Sequence, residues 1–333
     1  MKSILEFANV ICRFGDKEVL LDYAESIVIP AFLDRAMQRK YAGIRYFFYD
    51  SQIFLEEYEG EKLVILAGRF VKDMVQRSSQ YFDDSVGIVK RTEKMKDAPS
   101  SIYILVLNNH KLLYIHETPH APSLQAFKST MSYFVRRKRV EVVENMYAEI
   151  SSVDKTATKK NIHESIPIPI VEIVPLSSSL DLKQFMSNYR LLKSVKVRLL
   201  NTNHEDDDSA LWKGLRKAKN DLQAKSSEVD YVNNEGLNQD KALKLLGAAA
   251  QQGNTEIVLK GEDFDGDRMS GNNNDFRMRI PFDVRSGSVP DLVMPAYAKF
   301  MAVQQNGLIN LPQVAEEAKI KATSLYESIR SKK

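Results

Sequence analysis

The chain has 333 residues, of which 44% are hydrophobic and 27% charged, with a formal net charge of +3. This is long enough for two domains and apolar enough for a sizeable core, which excludes global disorder. A mildly basic total cannot by itself attract a polyanion, so any nucleic-acid surface has to come from local clustering of cations.

Cys12 is the only cysteine, so no internal disulfide framework or multi-cysteine zinc site can form, and a reducing cytoplasm is expected. Met1 to Val10 lacks a sustained apolar stretch and a small-residue cleavage site, and no apolar run approaches the ~18 residues of a spanning helix. Export and membrane insertion are therefore not expected.

Pro30, with Phe32, Leu33, Ala36 and Met37, predicts an amphipathic helix ending near Gly43. Residues 44–49, 53–58 and 62–67 are rich in aromatic and β-branched side chains and are separated by the polar pairs around Asp50-Ser51 and Glu59-Gly60-Glu61, which predicts a β-meander. Residues 102–107 and 111–116 flank Asn108-Asn109-His110, a hairpin signal because Asn tolerates positive φ. Ser123 is an expected N-cap for a helix carrying Leu124, Phe127, Met131 and Phe134 on one face and ending in Arg136-Arg137-Lys138-Arg139.

A Ser/Thr/Lys/Pro-rich stretch then predicts a boundary, dividing the chain into a β-meander-rich α+β domain over 1–165 and an α+β sheet domain with C-terminal helices over 166–333. In the second, a strand at 195–199, a helix at 209–223, a strand at 228–232, a helix at 239–251 and strands at 256–260 and 276–281 precede two helices. That order predicts a ferredoxin-like α+β layer with helices on one face. Asn306-Gly307 ends the first C-terminal helix and Pro312 opens the second. The latter's stripe of Val314, Ala318, Leu325 and Ile329 either docks on its own domain or pairs with a second copy, and a homodimer through these helices is expected. Glu205 to Asp208 is expected to cap a helix N-terminus.

Alternation in Ser194 to Leu199 sets Lys196 and Arg198 on the face opposite Val195, Val197 and Leu199, and in Phe276 to Ile280 sets Arg277 and Arg279 opposite their apolar neighbours. If both strands share one sheet, four cations emerge together on its bare face. The 209–223 helix is expected to bury Leu211, Leu215, Ala218 and Leu222 and to expose Lys213, Arg216 and Lys217. With Arg136, Arg137, Lys138 and Arg139 these form the candidate nucleic-acid-binding set, acting by phosphate contact without reading sequence, with duplex DNA as the expected partner. Simple solvation of exposed faces is the competing account of the strand and 209–223 clusters, and favourable interaction with the helix dipole that of Arg136 to Arg139.

Asp263-Phe264-Asp265-Gly266-Asp267 resembles the metal-binding loop of large RNA polymerases, and three carboxylates at that spacing suit Mg²⁺. The rest of that machinery is absent, and a hairpin tip is the expected reading. A metal-dependent nuclease or phosphotransferase using Asp263, Asp265 and Asp267 is the enzymatic alternative, and a protein-interaction module without nucleic-acid binding is the other. His110, His116 and His120 have only Glu117 as an acidic neighbour at ligand spacing, so no metal or cofactor is expected there. No nucleophile elbow, phosphate-binding Gly loop or zinc-protease motif occurs, which favours binding over catalysis.

The succession of β-meander, the hairpin from Ser101 to Glu117, a proline-led helix after Pro119, the basic strand and long-hairpin module ending at Pro281, and a closing helix near Tyr297 resembles the RexA-like phage exclusion family. The resemblance implies a dimeric, sequence-independent DNA binder that senses phage nucleoprotein and signals to a membrane-protein partner in an abortive-infection response.

Overall fold

A computed structural model describes residues 3–153, 155–156, 158–203, 210–284, 287–311 and 314–332, with backbone alone for 76–81 and 90–94. The expected capping role of residues 205–208, the helix start at Ser209 and the opening Pro312 lie outside the described residues. The chain is α+β. Its first strand, β1 (Ser3–Phe14), is followed by β2 (Glu18–Val19), α1 (Ile29–Leu33), β3 (Arg39–Tyr41), β4 (Ile44–Tyr58), β5 (Glu61–Asp83), β6 (Gly87–Asp97), β7 (Ser100–Val106), β8 (Lys111–His116), α2 (Leu124–Val153) and α3 (Lys159–Ser165). Then come β9 (Pro169–Pro175), α4 (Ser179–Met186), β10 (Leu191–Leu199), α5 (Ala210–Asp221), β11 (Ser227–Val232), α6 (Gln239–Gln252), β12 (Thr255–Glu262), β13 (Arg268–Asn272), β14 (Arg279–Phe282), α7 (Val289–Gln305) and α8 (Glu316–Lys332).

The large sheet is antiparallel and curled, in the order β14-β1-β8-β7-β5-β4-β3, with β2 and β9 also on β1 and β6 on β5. Side chains alternate between its faces. Val64, Leu66, Phe70, Tyr103, Leu105, Leu112 and Tyr114 join a core with α1, α2 and α8 on one side. Leu63, Ile65, Ala67, Ile102, Ile104, Leu113 and Ile115 join a second core with α7 on the other. A sheet covered on both faces needs near-continuous apolar strands, and this is what residues 102–107 supply.

The small sheet, β11-β10-β12-β13, is also antiparallel. Val195, Val197 and Leu199 pack under α4, α5 and α6 with Trp212, Leu246, Ala249 and Ile257. The two sheets meet through asparagines: Asn9 Nδ2 donates to Asn254 Oδ1 at 3.0 Å, and Asn203 Nδ2 donates to the Val10 carbonyl at 2.8 Å while its Oδ1 accepts from the Cys12 N–H at 3.2 Å.

Several expectations change. The helix from Pro30 stops at Leu33 because Asp34 turns extended (φ −73°, ψ 100°), and residues 39–41 form a strand instead. Two strands expected at 44–49 and 53–58 are one, since Asp50-Ser51 is a bulge rather than a turn: the register slips between Tyr49 and Gln52. Division at 165/166 does not sort the elements, because β9 and β14 pair with β1. The small sheet is not ferredoxin-like: β10 and β11, joined by α5, are adjacent and antiparallel, whereas a split βαβ unit makes its helix-linked strands parallel with one strand between them. α8 buries Ala318, Ala322, Leu325 and Ile329 in its own chain's core, the docking alternative for its stripe rather than pairing with a second copy, and α7 buries Leu292, Val293, Ala296 and Phe300.

Candidate nucleic-acid interface

The four-cation platform does not form, because its two strands belong to different sheets. Lys196 and Arg198 stand on β10 of the small sheet, while Arg279 is on β14 of the large one and Arg277 precedes it. Each is also neutralised. Lys196 Nζ lies 2.5 Å from Glu228 Oε2, and Arg198 Nη2 lies 2.5 Å from Glu256 Oε2. Neighbouring Lys193 and Arg190 share Glu262. β10 does alternate apolar and basic side chains, but the flanking strands supply carboxylates on the basic face. Arg277 Nε and Arg279 Nε reach Glu6 Oε1 at 2.7 and 3.1 Å, and Glu6 is buried with 2% of its side chain exposed. Burial raises the Glu6 pKa, but hydrogen bonds from His116 and Arg277 and the charge of Arg277 outweigh it and hold the carboxyl down at about 2. This is a clasp between β1 and the chain returning from the small sheet.

Helix α5 is rotated from its expected setting. Trp212 and Lys219 are buried, while Leu211 and Leu222 are 41% and 78% exposed. Lys213 and Lys217 are exposed as expected. Arg216, half-buried, donates to the Leu200 carbonyl; Lys219 Nζ donates to Asn201 Oδ1 at 2.5 Å and Arg13 Nη1 to the Thr202 carbonyl at 2.8 Å. Three cations thus converge on carbonyl and amide oxygens of residues 200–202, where the chain leaves the sheet. Burial lowers the Lys219 pKa, as do its neighbours Arg216, Arg13 and Arg198.

The basic run of α2 lies mid-helix, so its members splay around the axis instead of forming a patch. Arg139 is 5% exposed and clamps the Ile166 carbonyl from Nε at 2.8 Å and the His163 carbonyl from Nη2 at 2.6 Å. Lys138 sits 2.6 Å from both Asp34 Oδ2 and Glu141 Oε2. Arg136 donates to the Pro169 carbonyl at 3.2 Å. Arg137 is exposed and rests over the Tyr133 ring, 6.0 Å from its centroid.

That exposed corner belongs to a larger surface. From Arg35 to Tyr49 the sequence carries four cations, five aromatic residues and no carboxylate. The two-residue turn Ala42-Gly43, with φ of +50° and +78°, folds β3 onto β4 as a tight hairpin. Its register sets Lys40 directly opposite Arg45 and Arg39 opposite Tyr46. The Arg39 guanidinium lies 5.1 Å from the Tyr41 ring centroid and 5.7 Å from that of Tyr46, and Arg45 lies 5.6 Å from that of Phe47. Arg39 also reaches Thr130 Oγ1 at 3.5 Å. Thr130, Tyr133 and Arg137 lie on one stripe of α2, so the hairpin and the exposed α2 corner are continuous. Tyr41 is 63% exposed. Arg45 is paired with Asp73, but among the described residues no carboxylate pairs with Arg35, Arg39, Lys40 or Arg137. The signal for this edge, cations interleaved with aromatics in a carboxylate-free window, was present in the sequence, but the helix expected there concealed it.

At the acidic loop, Asp263 Oδ1 accepts from the N–H groups of Asp265 and Asp267 at 3.0 and 2.9 Å, and Gly266 has φ +89°. This is a capped tip between β12 and β13. Among the described residues no group of three His, Cys, Asp or Glu side chains is placed to hold a metal, and no helix is long and apolar enough to cross a membrane. No protein-family model matches the chain, and no curated protein matches it.

Proposed function

We propose that the protein binds nucleic acid along the β3–β4 edge and the adjoining face of α2, through the phosphate backbone and by stacking, without reading sequence. One observation carries this reading: Lys40 stands directly opposite Arg45 at a surface hairpin beside Arg39, with a single carboxylate among the described residues, Asp73, paired to them. Like charges directly opposed across strands are destabilising, and an external polyanion relieves them. Exposed Tyr41 and Tyr133, each beside an arginine, offer rings on which bases or sugars can rest, a combination suited to sequence-tolerant binding. Duplex DNA remains the proposed partner, and a phage-exclusion role with a membrane-protein effector is the biological setting that the RexA-like resemblance implies.

The test is fluorescence anisotropy with two unrelated duplexes and a single strand across a salt series. The reading expects affinity that falls steeply with salt, is similar for both duplexes, and drops for Lys40→Ala and Arg39→Ala alike. Affinity unchanged by these substitutions, or tied to one sequence, overturns it.

A further inference from the structure

Past Asp73, the last β5 residue paired with β4, β5 continues from Met74 to Asp83, paired among the described residues only with β6. The result is a two-stranded ribbon about 30 Å long that leaves the body of the sheet. It closes in a formed turn, where Asp83 Oδ1 accepts from the N–H groups of Ser85 and Val86 at 2.9 and 3.2 Å.

The register of the ribbon sorts charge between its faces. Val75 pairs with Lys96 and Arg77 with Lys94, whereas Met74 pairs with Asp97, Gln76 with Met95 and Ser78 with Glu93. Directly opposed residues share a face and successive positions change face, so 75, 77, 94 and 96 lie on one side and both carboxylates, at 93 and 97, on the other. The basic side continues that of the β3–β4 edge. Lys40 is opposite Arg45, Arg45 is opposite Asp73, and Asp73 stands two residues before Val75 on the same strand.

One face therefore carries Lys40 and Arg45, then Lys96, then Arg77 and Lys94, outward from the sheet. Asp73, paired with Arg45, is the one carboxylate at the positions between these residues. Lys40, Arg45 and Lys96 are exposed, and among the described residues no carboxylate pairs with Lys96. Two cross-strand pairs on this face, Lys40 with Arg45 and Arg77 with Lys94, set like charges directly opposite each other, which destabilises the sheet until a polyanion lies over it.

We propose that the β5–β6 ribbon is an arm of the nucleic-acid surface, lying along a DNA duplex with the face of Arg77, Lys94 and Lys96 against the phosphate backbone. The inference rests on the binding reading given above and adds the path of the duplex, from the β3–β4 edge outward along β5. The rows at positions 73 and 77 are about 13 Å apart, the rise of about four phosphates of one strand. Asp83 and Asp84 at the turn repel phosphate and end the track, so the contact spans about 26 Å, or about eight base pairs. The face bearing Met95 and the carboxylates at 93 and 97 turns away from the DNA.

Photo-crosslinking tests which face meets DNA, since the one native cysteine, Cys12, is buried. Val75→Cys and Met95→Cys put the same photoactivatable label on opposite faces, at positions 51% and 63% exposed. With a duplex of about 20 base pairs, longer than the contact, the label at 75 is expected to crosslink and the label at 95 is not. Equal crosslinking from both, or crosslinking from 95 alone, overturns the arrangement. Salt dependence is the second measurement. Lys94→Ala combined with Lys96→Ala is expected to reduce the slope of log affinity against log salt by about 2, one for each phosphate contact. Lys90→Ala removes the same charge opposite Gln80, on the other face, and is expected to leave the slope unchanged. If Arg39→Ala and Lys40→Ala weaken binding while the ribbon variants do not, the arm is refuted and the β3–β4 edge stands alone. If the wild type binds no DNA, both are refuted.

Discussion

Arg277 and Glu6, 271 residues apart in sequence, form a 2.7 Å hydrogen-bonded ion pair in which the carboxylate is almost fully buried. The pair ties the return of the chain from the small sheet to the first strand of the large one. Removing one partner leaves a buried charge uncompensated, which costs more than the pair itself contributes.

The depressed Glu6 pKa makes this clasp pH-dependent. A carboxyl whose folded value lies below its unfolded value contributes stability that is fully present above about 4.5 and is lost as the pH falls through about 2. The shift corresponds to about 3 kcal/mol. Urea denaturation of wild type and Glu6→Gln is expected to show a gap of that order at pH 7 that closes between pH 4.5 and pH 2. A gap independent of pH contradicts the assignment.

The basic run of α2 separates into structural and exposed members. Arg139→Ala removes the donor to the Ile166 and His163 carbonyls and is expected to cost about 2–3 kcal/mol through unsatisfied buried groups, with DNA affinity of the folded fraction unchanged. Arg137→Ala is expected to do the reverse: thermal stability within about 0.5 kcal/mol of wild type and a measurable loss of affinity. Calorimetry and anisotropy on the same two samples check both halves.

Salt dependence reports how many phosphates the β3–β4 edge touches. Replacing Lys40 with Ala is expected to reduce the slope of log affinity against log salt by about 1, the contribution of one phosphate contact. The same substitution at Lys196, already paired with Glu228, is expected to leave the slope unchanged.

The bulge at Asp50-Ser51 requires a residue without a side chain opposite it. A Cβ at Gly68 would lie 2.8 Å from the Ser51 Cα and 2.8 Å from the Tyr103 hydroxyl, which itself donates to Ser51 Oγ at 2.6 Å. Gly68→Ala is therefore expected to destabilise by about 1–3 kcal/mol, as overpacking of a well-filled site does. Equilibrium unfolding monitored by fluorescence measures it, and a neutral result would mean that the bulge yields.

If the Asp263 turn is a capped hairpin tip, Asp263→Ala should lower stability by about 1 kcal/mol, the worth of a side-chain cap, by the same amount with and without Mg²⁺. Stabilisation of the wild type by Mg²⁺, absent in the variant, would instead favour a metal site. Thermal melts in chelator and in excess Mg²⁺ distinguish the two.

The local patterns of residues 102–107 and 111–116, the Ser123 start of α2, the Asn306-Gly307 stop of α7 and the β10-to-β12 succession were legible because they depend on neighbours close in sequence: period, caps and turn residues. β1 was not, because Glu6, Asn9 and Arg13 interrupt the apolar residues from Ile4 to Phe14 and a strand buried on both faces has no period to announce it.

By itself the sequence determined the mixed α+β class, which faces of β10 are apolar, and the absence of any cysteine-based framework, since these follow from composition and near-neighbour geometry. Tertiary structure alone decided which sheet each strand joins and whether each cation has a counter-charge. Glu228, Glu256 and Glu6 neutralise Lys196, Arg198, Arg277 and Arg279, whereas among the described residues only Asp73 serves the Lys40–Arg45 hairpin. The reason is physical: the field at a side chain is set by whatever folding brings within a few ångströms, and most of those groups lie tens to hundreds of residues away along the chain.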